Sequence, residues 1–384
     1  MPKNLHCLLY LAAIVSLTNC KSMKFSFSER IVIKNSYQKI ELVKNQPIIV
    51  TQLEGKDQRL MLDLGSTACL IYDTTVISDY YKREKSSMGN AKGAGTGKIK
   101  MIQLHLSIND SLFSSPNKVF IVVDNPALLN KANCSPGEKI AGLYGANLFK
   151  MNKTILLLDL QEKRLCNLTN AAFTNTIADG YQEIKSKFNL FGIKLYVLIH
   201  GKEYPFGFDT GFNGSFIMPA DKNIDFATEP HVSFEGMIGI TVTGVEKGLT
   251  DLYEGTKISM NGKAFNSTIS VSSSIKAQNM GMAFIKGFNW IIDYKHKKVY
   301  YKSLAKTEQL NTYASYNYVA TILDNKLLVA TRKVGMNDYN IADEIISVNG
   351  QTVNDNNKCE LLEMLIKNND WKALDVKTQS VVIQ

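Results

Sequence analysis

Gly55-Lys-Asp-Gln-Arg-Leu-Met-Leu-Asp63-Leu-Gly65-Ser66-Thr67 is echoed later in the chain by Gly201-Lys-Glu-Tyr-Pro-Phe-Gly-Phe-Asp209-Thr210-Gly211. In both stretches a Gly-Lys-acid turn lies eight residues before an Asp-x-Gly that closes an apolar run. Turn, run and acidic loop recur in one order, so both stretches predict the same local structure. An aspartate delivered twice by similar halves is what a paired-carboxylate site needs, because one carboxylate must act as base while the other acts as acid.

The repeat runs beyond these stretches. Gly145-Ala-Asn-Leu-Phe-Lys leads to Asp159-Leu-Gln-Glu-Lys163, and Gly281-Met-Ala-Phe-Ile-Lys leads to Asp293-Tyr-Lys-His-Lys297. Asp63 stands 82 residues before Gly145, and Asp209 stands 72 before Gly281. Each half therefore has an Asp-Gly turn, a long middle, a Gly-led segment and a closing hairpin, as internal duplication predicts.

A chain of 384 residues with 45% hydrophobic content fills ordinary cores and is long enough for two or three domains. Period-two alternation dominates it. Pro47-Ile-Ile-Val-Thr-Gln-Leu, Lys98 to Leu106, Lys118-Val-Phe-Ile-Val-Val and Lys194-Leu-Tyr-Val-Leu-Ile-His200 read as strands separated by Gly, Asn and Asp turns. Many short strands with regular turns predict a mainly β protein with barrel-like lobes. The polar stretch from Asn170 to Lys187 is the expected junction between them.

The first residues read as a targeting segment. Lys3 precedes the apolar core Leu8 to Leu17, which is too short for a stable span, and Leu17-Thr-Asn-Cys20 follows. That ending resembles a bacterial lipobox, although Asn19 replaces the usual small residue before the cysteine. On this reading residues 1–19 are removed and Cys20 is lipidated, which predicts a protein anchored at a bacterial cell envelope; an ordinary secretory signal cut nearby is the other reading. Downstream of Cys20 lie Cys69, Cys134, Cys166 and Cys359, whose pairing the sequence leaves open.

The net charge of +9 comes from dispersed lysines and suits proximity to anionic head groups. No aromatic-basic interleaving accompanies it, so nucleic acid is not an expected partner. The sequence carries no Gly-x-Ser-x-Gly elbow, no His-Glu-x-x-His, no phosphate loop and no Cys/His zinc spacing, so neither a metal nor a cofactor is expected.

Asp63-Leu-Gly-Ser-Thr and Asp209-Thr-Gly, each followed by an apolar-Gly segment and a hairpin ending in Asp-x-x-x-Lys, resemble the two-lobed pepsin and retropepsin superfamily. Within it the chain looks like the aspartyl-protease-like lipoproteins of Bacteroidetes-type bacteria, over about residues 30 to 304. The resemblance implies two six-stranded β-barrel lobes, 20–177 and 178–306, with the active site in the cleft between them. It implies an aspartic endopeptidase in which Asp63 and Asp209 activate a water against a peptide or protein substrate. Two aspartates sharing one proton cannot both ionise, so their titrations split and belong to the pair.

By the same resemblance Gly65, Ser66, Thr67, Thr210 and Gly211 form the loops that carry the aspartates. The chain departs from the family twice. Leu64 stands where a threonine hydroxyl usually braces the opposite loop, and Phe212 stands where a small residue usually sits beside the aspartate. A hydroxyl is expected to bond Asp63 from Ser66, and none from Phe212. The alternative is a degenerate relative that binds extended peptides without cutting them; a structural envelope lipoprotein is a third.

Two further parts are expected. Gly93-Ala94-Gly95-Thr96-Gly97 has the position and flexibility of a hairpin flap over the cleft. Residues 311–384, with Asp343-Glu-Ile-Ile-Ser-Val-Asn349-Gly350 and an amphipathic stretch from Lys358 to Lys367, resemble a PDZ domain. That resemblance implies capture of a peptide C-terminus, at a loop from Leu323 to Lys326 by position.

Overall fold

In the computed structural model the described residues are 30–77, 86–92, 98–123, 139–190, 192–221, 226, 229–241, 244–304, 316–368 and 370–380, with the backbone alone at 86–92, 98–101 and 240. The leader with Cys20, and the candidate flap Gly93, Ala94, Gly95, Thr96 and Gly97, lie outside them.

The first half forms strands β1 (Gln46–Leu53), β2 (Lys56–Asp63), β3 (Cys69–Ile71), β4 (Lys98–Asn109), β5 (Phe113–Val122) and β6 (Gly142–Gly145). Their pairings close a ring. β1 meets β2 antiparallel, β2 meets β6 parallel, β6 meets β3 antiparallel, β3 meets β5 parallel, and β5 returns through β4 to β1. Alternate residues Leu60 and Leu62 of β2 and Leu104, Leu106 and Ile108 of β4 are buried inside it.

After helix α1 (Asn147–Met151), a hairpin of β7 (Ile155–Asp159) and β8 (Arg164–Leu168) leaves the barrel, and helix α2 (Asn170–Ala178) follows. The stretch read as a polar junction is thus partly helical, with Thr169 as N-cap accepting from the Ala172 N–H at 3.2 Å.

The second half repeats the ring. Its strands are β9 (Gly192–Ile199), β10 (Lys202–Phe208), β11 (Phe216–Pro219), β12 (Val232–Thr241), β13 (Gly244–Met260), β14 (Lys263–Ser272) and β15 (Asn279–Met280). β9, β10, β15, β11, β14 and β13 close in the same order and with the same parallel and antiparallel senses as the first barrel. β12 forms a long antiparallel hairpin with β13, as Ser86–Lys92 does with β4 in the first half. The matched turns Glu54-Gly55 and His200-Gly201, both with positive φ, make the hairpins that lead into each aspartate.

Helix α3 (Met282–Ile285) then gives way to β16 (Phe288–Asp293) and β17 (Lys298–Ser303). β16 pairs antiparallel with β7, Leu156 opposite Ile292, so the closing hairpins of the two halves form the four central strands of one six-stranded sheet, with Gln182–Ile184 and Tyr37–Lys39 at its edges. Every residue of β7 and β16 is buried, as strands covered on both faces require. One apolar cluster runs from Leu62 of the first barrel through Leu156 and Trp290 to Phe208 of the second.

The last segment holds β18 (Tyr318–Leu323), β19 (Lys326–Lys333), β20 (Glu344–Val348), β21 (Gln351–Thr352), helix α4 (Lys358–Lys367) and β22 (Lys377–Gln379). Its own core gathers Tyr318, Val329, Ile345, Leu361, Leu365 and Trp371. β19 pairs with β12, which extends the second barrel's sheet into this segment. Leu323 to Lys326, read above as a carboxylate-binding loop, is a tight turn in which Leu323 faces Lys326 and Asp324 and Asn325 carry positive φ.

Candidate active site

Asp63 ends β2, where it stands opposite Gly145 in parallel register, and Asp209 directly follows β10. The two rings present these ends to each other, so the aspartates meet. A Cβ on Gly65 would lie 2.7 Å from Cγ of Asp209, and a Cβ on Gly211 would lie 2.7 Å from Cγ of Asp63. Glycine at both positions is what allows each carboxylate to rest on the other loop's backbone.

Each loop holds its carboxylate by backbone donors. The N–H groups of Gly65 and Ser66 both donate to Asp63 Oδ1 at 2.9 Å. Those of Gly211 and Phe212 donate to Asp209 Oδ1 at 3.0 and 3.1 Å. Asp209 has one donor more: Asn279 Nδ2 donates to its Oδ2 at 2.5 Å.

Thr210 braces the pair from beneath. Its buried hydroxyl accepts from the Leu64 N–H at 2.9 Å and donates to the Leu62 carbonyl at 2.7 Å. The Leu64 side chain is fully buried in the core and returns no such bond, which leaves the brace one-sided, as its side chain requires.

Ser66 departs from expectation. Its hydroxyl donates to the Ala68 carbonyl at 2.8 Å, and its backbone, not its side chain, serves Asp63. The hydroxyl closes the local turn by bonding backbone two residues on, the alternative that serines in loops commonly take. Thr67 is exposed beside it. Phe212 lies against the second loop's glycines, its ring filling the space where a Cβ on Gly214 or Gly281 would come within 2.4 Å.

Burial, and then the negative field of Asp209, push Asp63 well above the ordinary carboxylate range against its two backbone donors. Burial also raises Asp209, opposed by Gly211, Asn279 and Phe212. The phenol of Tyr72 is raised by burial and by Asp63's charge. Both shifts run in the direction expected of two neighbouring carboxyls that resist ionising together, and Asp209 is the one with the additional N–H donor.

Beside Phe212 opens a cavity of about 310 Å³, walled by Ile217, Phe234 and Leu252 of the second half and by Val319 and Thr331 of the last segment. Among the described residues no group of three His, Cys, Asp or Glu side chains is placed to hold a metal, and no helix is long and apolar enough to cross a membrane.

Asn279 and its partner Gly207 are the site residues that reading the sequence missed. Aligning the repeats at Gly145 and Gly281 puts Asn279 on Leu143, and aligning them at the two aspartates puts Gly207 on Met61, so a polar and a missing side chain stand where the first half has two apolar ones.

Fold and site together define a duplicated two-barrel protein with one aspartate from each barrel at the junction. No family model and no curated protein matches the chain. Among solved structures it is similar to basic 7S globulin from soybean, at 10% identity and a TM-score of 0.41, and to conglutin gamma, a basic 7S globulin from lupine seeds, at 10% and 0.42; each match covers 73% of this chain and 100% of the other. These findings correct the family resemblance. The similar solved structures named above are seed globulins, not bacterial peptidase-like lipoproteins, and no family model supports a PDZ domain in the last segment.

Proposed function

We propose that this chain hydrolyses peptide bonds of an extended segment lying between the barrels, by a water activated on Asp63 and Asp209. The reciprocal seating of each carboxylate on the other loop's glycine is the observation that carries the proposal, because it puts two half-buried aspartates in one site from matching points of the two halves.

The chemistry follows from the unequal donor sets, two N–H groups on Asp63 and three on Asp209. Ionised Asp209 takes a proton from the water as its oxygen bonds the substrate carbonyl carbon, and Asp63 gives its proton to the carbonyl oxygen. The resulting diol breaks its C–N bond as Asp209 returns a proton to the leaving nitrogen, and a diol hydroxyl restores the proton of Asp63. No covalent intermediate forms, and atoms and charge balance over the cycle.

A second reading, peptide binding without cleavage, draws on the loops. The Ser66 hydroxyl is turned to Ala68 and Phe212 has none, so neither carboxylate receives a side-chain hydroxyl from its own loop. Export of the protein is part of the proposal on the strength of its apolar leader alone.

A diverse peptide library incubated with the protein from about pH 3 to about pH 8 separates the readings. Cleavage that disappears in both Asp63→Asn and Asp209→Asn is the expected outcome. Persistent cleavage by either folded variant refutes the pair as catalyst, and peptide binding without turnover by the parent chain supports the second reading.

A further inference from the structure

The two halves match strand for strand, yet besides the loop departures at Leu64 and Phe212 a strand position next to the aspartates breaks the symmetry. In the first barrel Leu143 of β6 faces Met61 of β2, and in the second Asn279 of β15 faces Gly207 of β10. The exchange is concerted. A Cβ at Gly207 would lie 2.6 Å from Asn279 Oδ1, so the missing side chain on one strand makes the room that the amide on the other occupies. From that room the amide reaches Oδ2 of Asp209, the oxygen that the backbone donors leave unserved.

We propose that Asn279 is a positioning residue that fixes the polarity of the aspartate pair, making Asp209 the ionised member and Asp63 the carrier of the proton. The inference rests on the pair acting as proposed above, and it adds the direction in which the pair works. Two loops with equal donors would let the proton sit on either aspartate, and half of the molecules would present the acid on the wrong side of the substrate. A third N–H donor stabilises one anion over the other, because hydrogen bonds to a charged acceptor are the strong ones. Directionality thus comes from an amide outside both Asp-x-Gly loops. The titratable groups that the described residues place in this field are Asp63 from the facing loop and, beyond it, Tyr72.

The experiment is a carboxyl titration by carbon NMR on protein labelled at aspartate, with Asp63→Asn and Asp209→Asn used to assign the two signals. In Asn279→Leu, which copies the first barrel's residue, protonation of Asp209 moves to higher pH. Gly207→Ala, which keeps Asn279 but pushes its amide away, moves the same signal in the same direction and decides the matter if Asn279→Leu does not fold. An unmoved Asp209 signal in a folded variant overturns the inference, as does a shift confined to Asp63. Where turnover is measurable, the acid limb of kcat moves to higher pH in both variants while KM holds. The titration needs no turnover, so an inactive protein sinks the hydrolytic reading and leaves this one standing or falling separately.

Discussion

Asp63 and Asp209 set the chemistry of the site against the stability of the fold. Both carboxyls are raised by burial, so folding is opposed once they must ionise. As pH rises from below the ordinary carboxylate value, the unfolded chain loses these protons before the folded one does, and stability falls until the folded groups have titrated. Asp63→Asn removes the shared negative field and one such group while keeping an oxygen for the Gly65 and Ser66 N–H donors. Its melting temperature is therefore expected to exceed the parent's near neutral pH, with the gain fading as pH drops below the ordinary carboxylate range. A gain independent of pH, or a loss at pH 7, would contradict the burial cost. The aspartates were legible because each ends a matched run. The Ser66 hydroxyl was misread, since nothing in a sequence tells a serine that bonds a carboxylate from one that closes its own turn. Asn279 was passed over because a lone asparagine in a strand carries no pattern until the repeats are laid side by side.

At the scale of elements, turns were read with more success than partners. Positive φ at Glu54-Gly55 and His200-Gly201 falls where the two Gly-Lys-acid turns were read, and the amphipathic stretch from Lys358 to Lys367 is helix α4 to the residue. What the sequence withheld is long-range pairing: nothing in it joins β12 of the second half to β19 of the last segment. Gly236 lies in β12 opposite Thr331 with φ +125°, and a Cβ there would stand 2.4 Å from the Ala330 carbonyl. Gly236→Val is expected to break this pairing at a cost of about 1 to 3 kcal/mol, from backbone strain and from the clash. Hydrogen exchange checks it: the amide of Val334, which donates to the Ser233 carbonyl of β12 at 2.9 Å, loses protection, while those of Lys333, bonded to Asn317, and of β16 keep theirs. Equal protection in parent and variant would mean that β19 holds its place without β12.

The whole molecule is knit through the sheet that both halves complete, and Asn289 is its polar knot. The buried amide of Asn289 donates to Asp159 at 2.9 Å and accepts from the N–H groups of Leu160 and Gln161 at 2.8 and 3.1 Å, so β16 of the second half satisfies the turn after β7 of the first. Neither half completes these bonds alone, which is why one core cluster spans both barrels while the last segment keeps a core of its own. Asn289→Leu leaves the buried Leu160 N–H unpaired, worth about 1 to 3 kcal/mol, while the N–H of exposed Gln161 can turn to water. The chain's two tryptophans report the two regions separately, Trp290 within the shared sheet and Trp371 within the last segment. In a Trp371→Phe background, Asn289→Leu should lower the denaturant midpoint seen by Trp290. In a Trp290→Phe background, the transition seen by Trp371 should stay where it was. Midpoints that move together would mean that the β12 to β19 pairing couples the last segment to the barrels more strongly than its separate core implies, and that all three parts unfold as one.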